Sequence, residues 1–211
     1  MIKLYYACYE KRLADHSFFY YLNTMSADIR EKVLLYNRWE DRHASLFGKL
    51  LLAKGLQDLG MDTDLKALQY DQQARPYINN IIDFNISHSG YYVTCVFSTT
   101  GRVGVDLEEI KDIEVADFKS QFSENEWRQI KSFTDPLKGF YYYWTLKEAV
   151  VKADGMGLSV PLWEVVINKD MASIGRQLWY TRHVDFKDDY ILHIASCEKI
   201  PVPVSIEEVR F

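Results

Sequence analysis

The chain has 211 residues, 25 basic and 30 acidic, a formal charge of −5, with 48% hydrophobic and 26% charged side chains. This is the composition of a folded globular chain with material for a core, which excludes intrinsic disorder as its main character. The acidic balance argues against a general nucleic-acid binder, which presents a basic stripe.

Taken in chain order, residues 2–9 (IKLYYACY) are β-branched and aromatic and predict a strand. Residues 26–36 predict a helix capped by Ser26 or Asp28. Residues 40–59 place apolar side chains at helical spacing, and Gly60 stands where a C-cap is expected. FNIS (84–87), YYVTCVF (91–97) and VGVDLEEI (103–110) predict three strands, the first two joined at Ser89-Gly90. Ser123 and Glu126 form the spacing of a capping box before a helix. A longer helix over 139–153 is ended by Gly155 and Gly157. Strands follow at 163–168, 176–181, 190–196 and 203–209. Residues 91–98 and 105–110 have faint counterparts at 190–196 and 204–209. Trp39-x-x-Arg42-His43-Ala44 likewise resembles Trp144-x-x-Lys147-Glu148-Ala149. These offsets of about one hundred residues favour two alike α+β halves.

The charge is unevenly spread, +1 over residues 1–103 and −6 over 104–211. Cys8, Cys95 and Cys197 are too few and too scattered for a disulfide framework, and no CxxC pair marks a zinc site. No apolar run reaches the roughly 18–20 residues of a membrane span. The first residues hold no signal-peptide core. A cytoplasmic protein with neither membrane nor nucleic-acid partner is the expectation.

Three features could carry chemistry. Asp106 and Glu108, two apart on a strand, leave the same face and suit a shared cation, or simply a solvated face. Trp144, Lys147, Glu148 and Lys152 share a broad helical face that runs into Asp154-Gly155-Met156-Gly157-Leu158, although Glu148 and Lys152 are also an ordinary i,i+4 pair. Ser87-His88-Ser89-Gly90 offers hydroxyls, an imidazole and a bend that could hold phosphate, or a plain hairpin turn. Ser87 and His88 face opposite sides of a strand, which disfavours a nucleophile–base pair. Further bases are Lys32, Arg38, Arg42, His43, Lys49 and Arg75, the last held extended by Pro76.

In combination, GVDLEEI (104–110) and WTLKEAVVKADGMGLSVPL (144–162) resemble the paired signatures of the 4′-phosphopantetheinyl transferases. YNRWEDRHASLFGKLLL (36–52), RPYI (75–78) and FNISHSG (84–90) resemble the surfactin-synthetase-activating, two-lobed and monomeric type. The resemblance implies two similar α+β lobes related by a pseudo-twofold, residues 1–102 holding the nucleotide end of coenzyme A and residues 103–211 the metal, pyrophosphate and carrier protein. It implies transfer of phosphopantetheine from coenzyme A to a serine of an apo carrier protein, releasing 3′,5′-ADP, with Mg²⁺. Asp106, Glu108 and Glu148 would hold the metal, Glu148 would also be the base, and Lys152 would meet the leaving phosphate. Lys147 would contact the pyrophosphate or the metal shell. Ser87 and His88 would meet the coenzyme A phosphates, and Arg75 and Pro76 the adenine and 3′-phosphate. Lys32, Arg42, His43 and Ser45 would add contacts to the nucleotide end. The carrier would dock over 111–135, which holds Lys111, Lys119, Phe122, Trp127, Arg128 and Lys131. A non-catalytic coenzyme A-binding module and another metal-dependent phosphoryl enzyme are the competing readings.

Overall fold

The computed structural model describes residues 1–78, 82–157 and 160–211. Its elements follow from local pattern. β1 (Ile2–Cys8) alternates its apolar side chains between two cores. Helices α1 (Asp15–Asn23), α2 (Ala27–Leu35) and α3 (Trp39–Asp58) cover one face of the first sheet. Two short strands, β2 (Gln69–Tyr70) and β3 (Pro76–Tyr77), form a separate hairpin. β4 (Asp83–Ser89) and β5 (Tyr92–Ser98) turn at Gly90, whose φ of 55° is the left-handed region that glycine adopts without strain. β6 (Val103–Glu109) opens the second half.

There, α4 (Glu124–Ser132) starts on the expected capping box, with both the Ser123 and the Glu126 side-chain bonds formed. α5 (Pro136–Asp154) begins three residues earlier than the pattern predicts. Asp135 accepts from the Leu137 and Lys138 N–H groups, and Pro136 occupies the first turn, where its missing N–H is harmless. Gly155 ends the helix in the left-handed region at φ 83°. Strands β7 (Val166–Asn168), β8 (Met171–Ile174), β9 (Gln177–His183) and β10 (Tyr190–Ser196) complete the second sheet. The predicted strand at 163–168 is shorter than expected because residues 162–164 form a 3₁₀ turn. α1 and β8 have no counterpart among the predicted elements.

The first sheet runs β11–β1–β5–β4 and the second β6–β10–β9–β8–β7. Each lobe repeats one plan: β1–β5–β4 beneath α3, and β6–β10–β9 beneath α5. This is the two-lobed α+β architecture. Ile2, Leu4 and Val96 of the first sheet share one core with Val103, Val105, Leu107, Leu192 and Ile194 of the second. Two departures qualify the repeat. Trp39 opens α3 whereas Trp144 lies in the middle of α5, so that sequence match is not a structural equivalence. The last strand, β11 (Ser205–Glu208), leaves the second lobe and pairs parallel with β1, so the first sheet draws on both halves and the 1–102 and 103–211 division is crossed.

The seam between the lobes is unusual. β4 pairs with β5 by backbone, but toward β6 it presents Asp83, Asn85, Ser87 and Ser89. These side chains accept the N–H groups of Val103, Val105, Leu107 and Glu109 at 2.7, 3.0, 3.3 and 3.0 Å. Four short polar residues at alternate positions thus satisfy a strand edge that would otherwise bury unpaired donors. Among the described residues no helix is long and apolar enough to cross a membrane.

Candidate active site

The seam positions the carboxylates. On β6 the odd residues Val103, Val105 and Leu107 enter the shared core, so Gly104, Asp106 and Glu108 face α5. Gly104 makes that approach feasible. A Cβ there would lie 2.2 Å from the Ala149 carbonyl oxygen and 2.4 Å from the Ala153 nitrogen. The helix therefore rests directly on the strand. Glu148 and Lys152, one turn apart, come over the β6 carboxylates.

Asp106 is buried at 3% exposure. Its Oδ1 accepts from Lys152 Nζ at 2.6 Å and from Ser87 Oγ at 3.1 Å, while its Oδ2 is buried with no partner. Lys152 Nζ also donates to Ser87 Oγ at 3.0 Å. Glu108 Oε2 accepts from Ser89 Oγ at 2.7 Å. Burial, and next the charge of Asp106, push the Glu108 carboxyl up to about 7. Glu148 makes no hydrogen bond or ion pair among the described residues. Burial and the Asp106 charge raise its pKa, with Lys152 opposing. Three carboxylates thus press on one another electrostatically. They do not close into a set of three or more ligands around one point among the described residues. The orphaned Asp106 Oδ2 and the all-oxygen donor set nevertheless fit a hard divalent cation.

His88 points to the other side of β4 from Ser87, as strand alternation requires. It lines two neighbouring cavities, of about 400 Å³ and 260 Å³, together with Asp41. Burial, then Lys152, lower its pKa, so the ring is neutral at pH 7. The smaller cavity is walled by Tyr36, Tyr70, Pro76 and Ile86, with Ser45 and Lys49 on α3. Lys32 is exposed at its edge, its ammonium 4.3 Å from the centre of the Tyr70 ring. Pro76 and Ser45 therefore lie on this cavity. A separate cavity of about 530 Å³ between α4, α5 and β7 includes none of the three carboxylates.

Three expected residues, Lys147, Arg75 and His43, are buried and engaged elsewhere. Lys147 is fully buried, its Nζ bonded to Glu126 Oε2 at 2.9 Å and to the Leu162 carbonyl at 3.1 Å. The same Glu126 oxygen accepts from the Ser123 N–H, so Lys147 locks the α4 cap rather than facing a pyrophosphate. Its neighbours Leu146, Val150 and Val151 are core, which is the signal that could have shown this. Arg75 is 8% exposed, and both of its terminal nitrogens are held in the lobe seam. Its guanidinium donates to Asp83 Oδ2 and to the carbonyls of Lys152, Phe84 and Val103. The hairpin before it carries Ala74 at φ 60° and Asp71 capping the Gln73 and Arg75 N–H groups, which turns Arg75 inward. His43 is 3% exposed. Its Nε2 accepts from the Leu13 N–H and its Nδ1 donates to the Trp39 carbonyl, so it braces α3. Arg42 Nε donates to the Tyr36 carbonyl at 2.7 Å. Phe122 and Trp127 pack with Phe140 and Tyr141 in the α4–α5 core and are not free for docking. Lys111 and Lys119 pair with Glu109 and Glu124. Leu158 lies outside the described residues.

Comparison with known proteins covers both halves. Residues 102–195 match the 4′-phosphopantetheinyl transferase superfamily, and residues 13–100 match the 4′-phosphopantetheinyl transferase N-terminal family. The chain is 30% identical over 173 residues to the 4′-phosphopantetheinyl transferase gsp of Aneurinibacillus migulanus, covering 81% of this chain and 73% of that protein. It is 30% identical over 166 residues to the 4′-phosphopantetheinyl transferase Sfp of Bacillus subtilis, covering 76% and 74%. A Xenopus laevis L-aminoadipate-semialdehyde dehydrogenase-phosphopantetheinyl transferase is 29% identical over 143 residues, 59% of this chain and 47% of that protein.

Proposed function

The chain belongs to the 4′-phosphopantetheinyl transferase family, of the surfactin-synthetase-activating type. From that premise we propose that it moves the 4′-phosphopantetheine arm of coenzyme A onto a serine of an apo carrier protein, releasing 3′,5′-ADP, with Mg²⁺. The observation that carries this reading is Asp106: buried, held on one oxygen by Lys152 and Ser87, and unpartnered on the other.

Asp106, Glu108 and Glu148 would hold Mg²⁺, and the mutual repulsion of their charges is what a cation relieves. When bound, the metal supplies positive charge against the reacting pyrophosphate. Of the three carboxylates Glu148 alone makes no hydrogen bond among the described residues, so it is the one we assign to take the serine proton. Without a cation, burial and next the Asp106 charge raise its pKa. As the serine oxygen bonds to phosphorus, the bond to 3′,5′-ADP breaks. Lys152, partly open to the cleft, then faces the charge that develops on the leaving phosphate. Neutral His88 donates a hydrogen bond to a phosphate oxygen. Pro76, Tyr70 and Tyr36 provide apolar surface for the adenine. The three free cysteines suit a reducing cytoplasm. The protein acts as a monomer.

Coenzyme A, Mg²⁺ and an apo carrier protein are incubated and the carrier is weighed by intact-mass spectrometry. One added phosphopantetheine is expected, stopped by a chelator and restored by Mg²⁺. Glu148→Gln should slow transfer by about 10²–10⁴-fold. Equal transfer by Glu148→Gln overturns the base and metal assignment. A carrier left unmodified by protein that still binds coenzyme A supports the binding-module reading.

A further inference from the structure

The cavity beside His88 holds a cation that the mechanism above does not use. Lys49 stands one turn beyond Ser45 on α3, half-buried, and lines the cavity with Ser45, His88, Tyr70 and Pro76. Its ammonium makes no hydrogen bond or ion pair among the described residues. Burial lowers its pKa, and Lys32 lowers it further, while the buried Cys95 opposes the shift. Lys49 in turn lowers the pKa of His88. Two basic groups, Lys49 and His88, therefore line one small space with Asp41 as the carboxylate on its wall, and the exposed Lys32 sits over the Tyr70 ring at its edge. A desolvated cation is costly when unpaired. This cost, on a wall that also offers the Ser45 hydroxyl and two aromatic rings, describes a site shaped for an anion attached to a planar base.

Arg75, next to Pro76, is the residue whose position in sequence would suggest it as that anchor. Its two terminal guanidinium nitrogens are already held by Asp83 and three carbonyls of the seam, and its Nε is buried away from solvent. Lys152 belongs to Asp106 on the other side of the cleft. Lys49 is left as the interior cation at the nucleotide end.

We propose that Lys49, and not Arg75, anchors the terminal 3′-phosphate of coenzyme A and so selects it over its dephosphorylated form. This rests on the coenzyme A reading above. Lys49 is a binding and specificity residue, remote from the reacting phosphorus.

Calorimetric titration of the full chain with coenzyme A and with 3′-dephospho-coenzyme A tests it. The native protein should favour coenzyme A. Lys49→Met should weaken coenzyme A by about 10- to 100-fold, the worth of a hydrogen-bonded charge pair. It should change dephospho-coenzyme A binding by less than about 3-fold, so that the preference collapses. Lys49→Arg should keep most of the preference. The thermal midpoint of Lys49→Met should not fall, since a half-buried charge with no partner among the described residues is removed. Arg75→Met should show the opposite pattern, a lower midpoint with the preference kept. Equal weakening of both ligands would move Lys49 to the pyrophosphate and overturn the proposal, as would no weakening at all. Failure of the native protein to bind either ligand would overturn the coenzyme A reading itself, a result distinct from the other two.

Discussion

Helices α3 and α5 hold equivalent places over their sheets, and each turns a pair of residues one helical turn apart toward the cleft: Ser45 and Lys49 on α3, Glu148 and Lys152 on α5. Each also carries a basic residue just before that pair, His43 and Lys147, which turns inward and braces its own lobe. The helices differ in what meets the exposed pair. Lys152 is answered by Asp106 of β6 at 2.6 Å, whereas Lys49 makes no hydrogen bond or ion pair among the described residues. The second lobe is thus poised around a carboxylate cluster and the first around an unpaired cation. Residue type alone does not separate a ligand-facing base from a bracing one. The side of the helix does.

The sharpest way to break this comparison is to remove the two α5 lysines separately. Lys152→Met should lower kcat by about 10²–10³-fold, the usual loss on deleting a charge-stabilising donor. Its effect on folding should be the smaller one, because its side chain is 29% exposed and water replaces it. Lys147→Met should do the reverse. It leaves the buried Glu126 charge with the Ser123 N–H but without its cation, costing about 3 kcal/mol of stability with little change in kcat at temperatures where the protein is folded. Denaturant unfolding and steady-state transfer assays on both variants settle which lysine does which, and equal behaviour would erase the distinction drawn above. Next in size is Gly104→Val. The added side chain has no room against Ala149 and Ala153, so α5 must lift from β6. A loss of roughly 2–3 kcal/mol is expected, with transfer falling as well because Glu148 and Lys152 move away from Asp106.

The smallest effect concerns the network that holds β11. Lys3 pairs with Glu207 at 2.7 Å and with Asp58 at 3.2 Å, Lys54 pairs with Asp58, and the Tyr5 hydroxyl donates to Asp58 Oδ2 at 2.7 Å. These bonds, the one from Lys54 first, hold the Asp58 carboxyl down at about 2. A depressed carboxyl stabilises the fold above its unfolded pKa near 4 and loses that contribution as the pH falls through 2. Native protein should therefore exceed Asp58→Asn in stability by up to about 1 kcal/mol at pH 6, the screened worth of a surface network. The gap should close between pH 4 and pH 2 in acid-unfolding curves. A gap that persists at pH 2 would assign the difference to packing instead of charge.

Much of this was legible in the residues. The Ser123–Glu126 capping box, the Gly155 stop and the alternation of β6 are local signals, and each appears where the pattern puts it. Asp106, Glu108, Glu148 and Lys152 were singled out from strand and helix periodicity, and α5 does bring the last two over β6. What was not legible is what tertiary packing decides. Lys147 and Lys152 both look like surface helix lysines until β6 and α4 take their sides. Arg75 and His43 are spent on backbone carbonyls and an N–H group far along the chain. The short-polar alternation Asp83, Asn85, Ser87, Ser89 was present to be read, but its meaning required β6 to lie alongside. The faint repeat pointed to two lobes, yet nothing in residues 203–209 says that they join the first sheet and not the second.

That return of β11 has a mechanical consequence. The second lobe leaves the first through the short link between β5 and β6 and is tied back to it at β1, so the cleft is a door hung on two hinges. One tether would let the lobes swing apart in any direction. Two restrict that motion, because β11 holds the first sheet at the edge opposite to the one where Asp83, Asn85, Ser87 and Ser89 meet β6. Separating the lobes along β4 and β6 would have to break those four contacts, so the return of β11 and the seam together hold the two sheets as one unit.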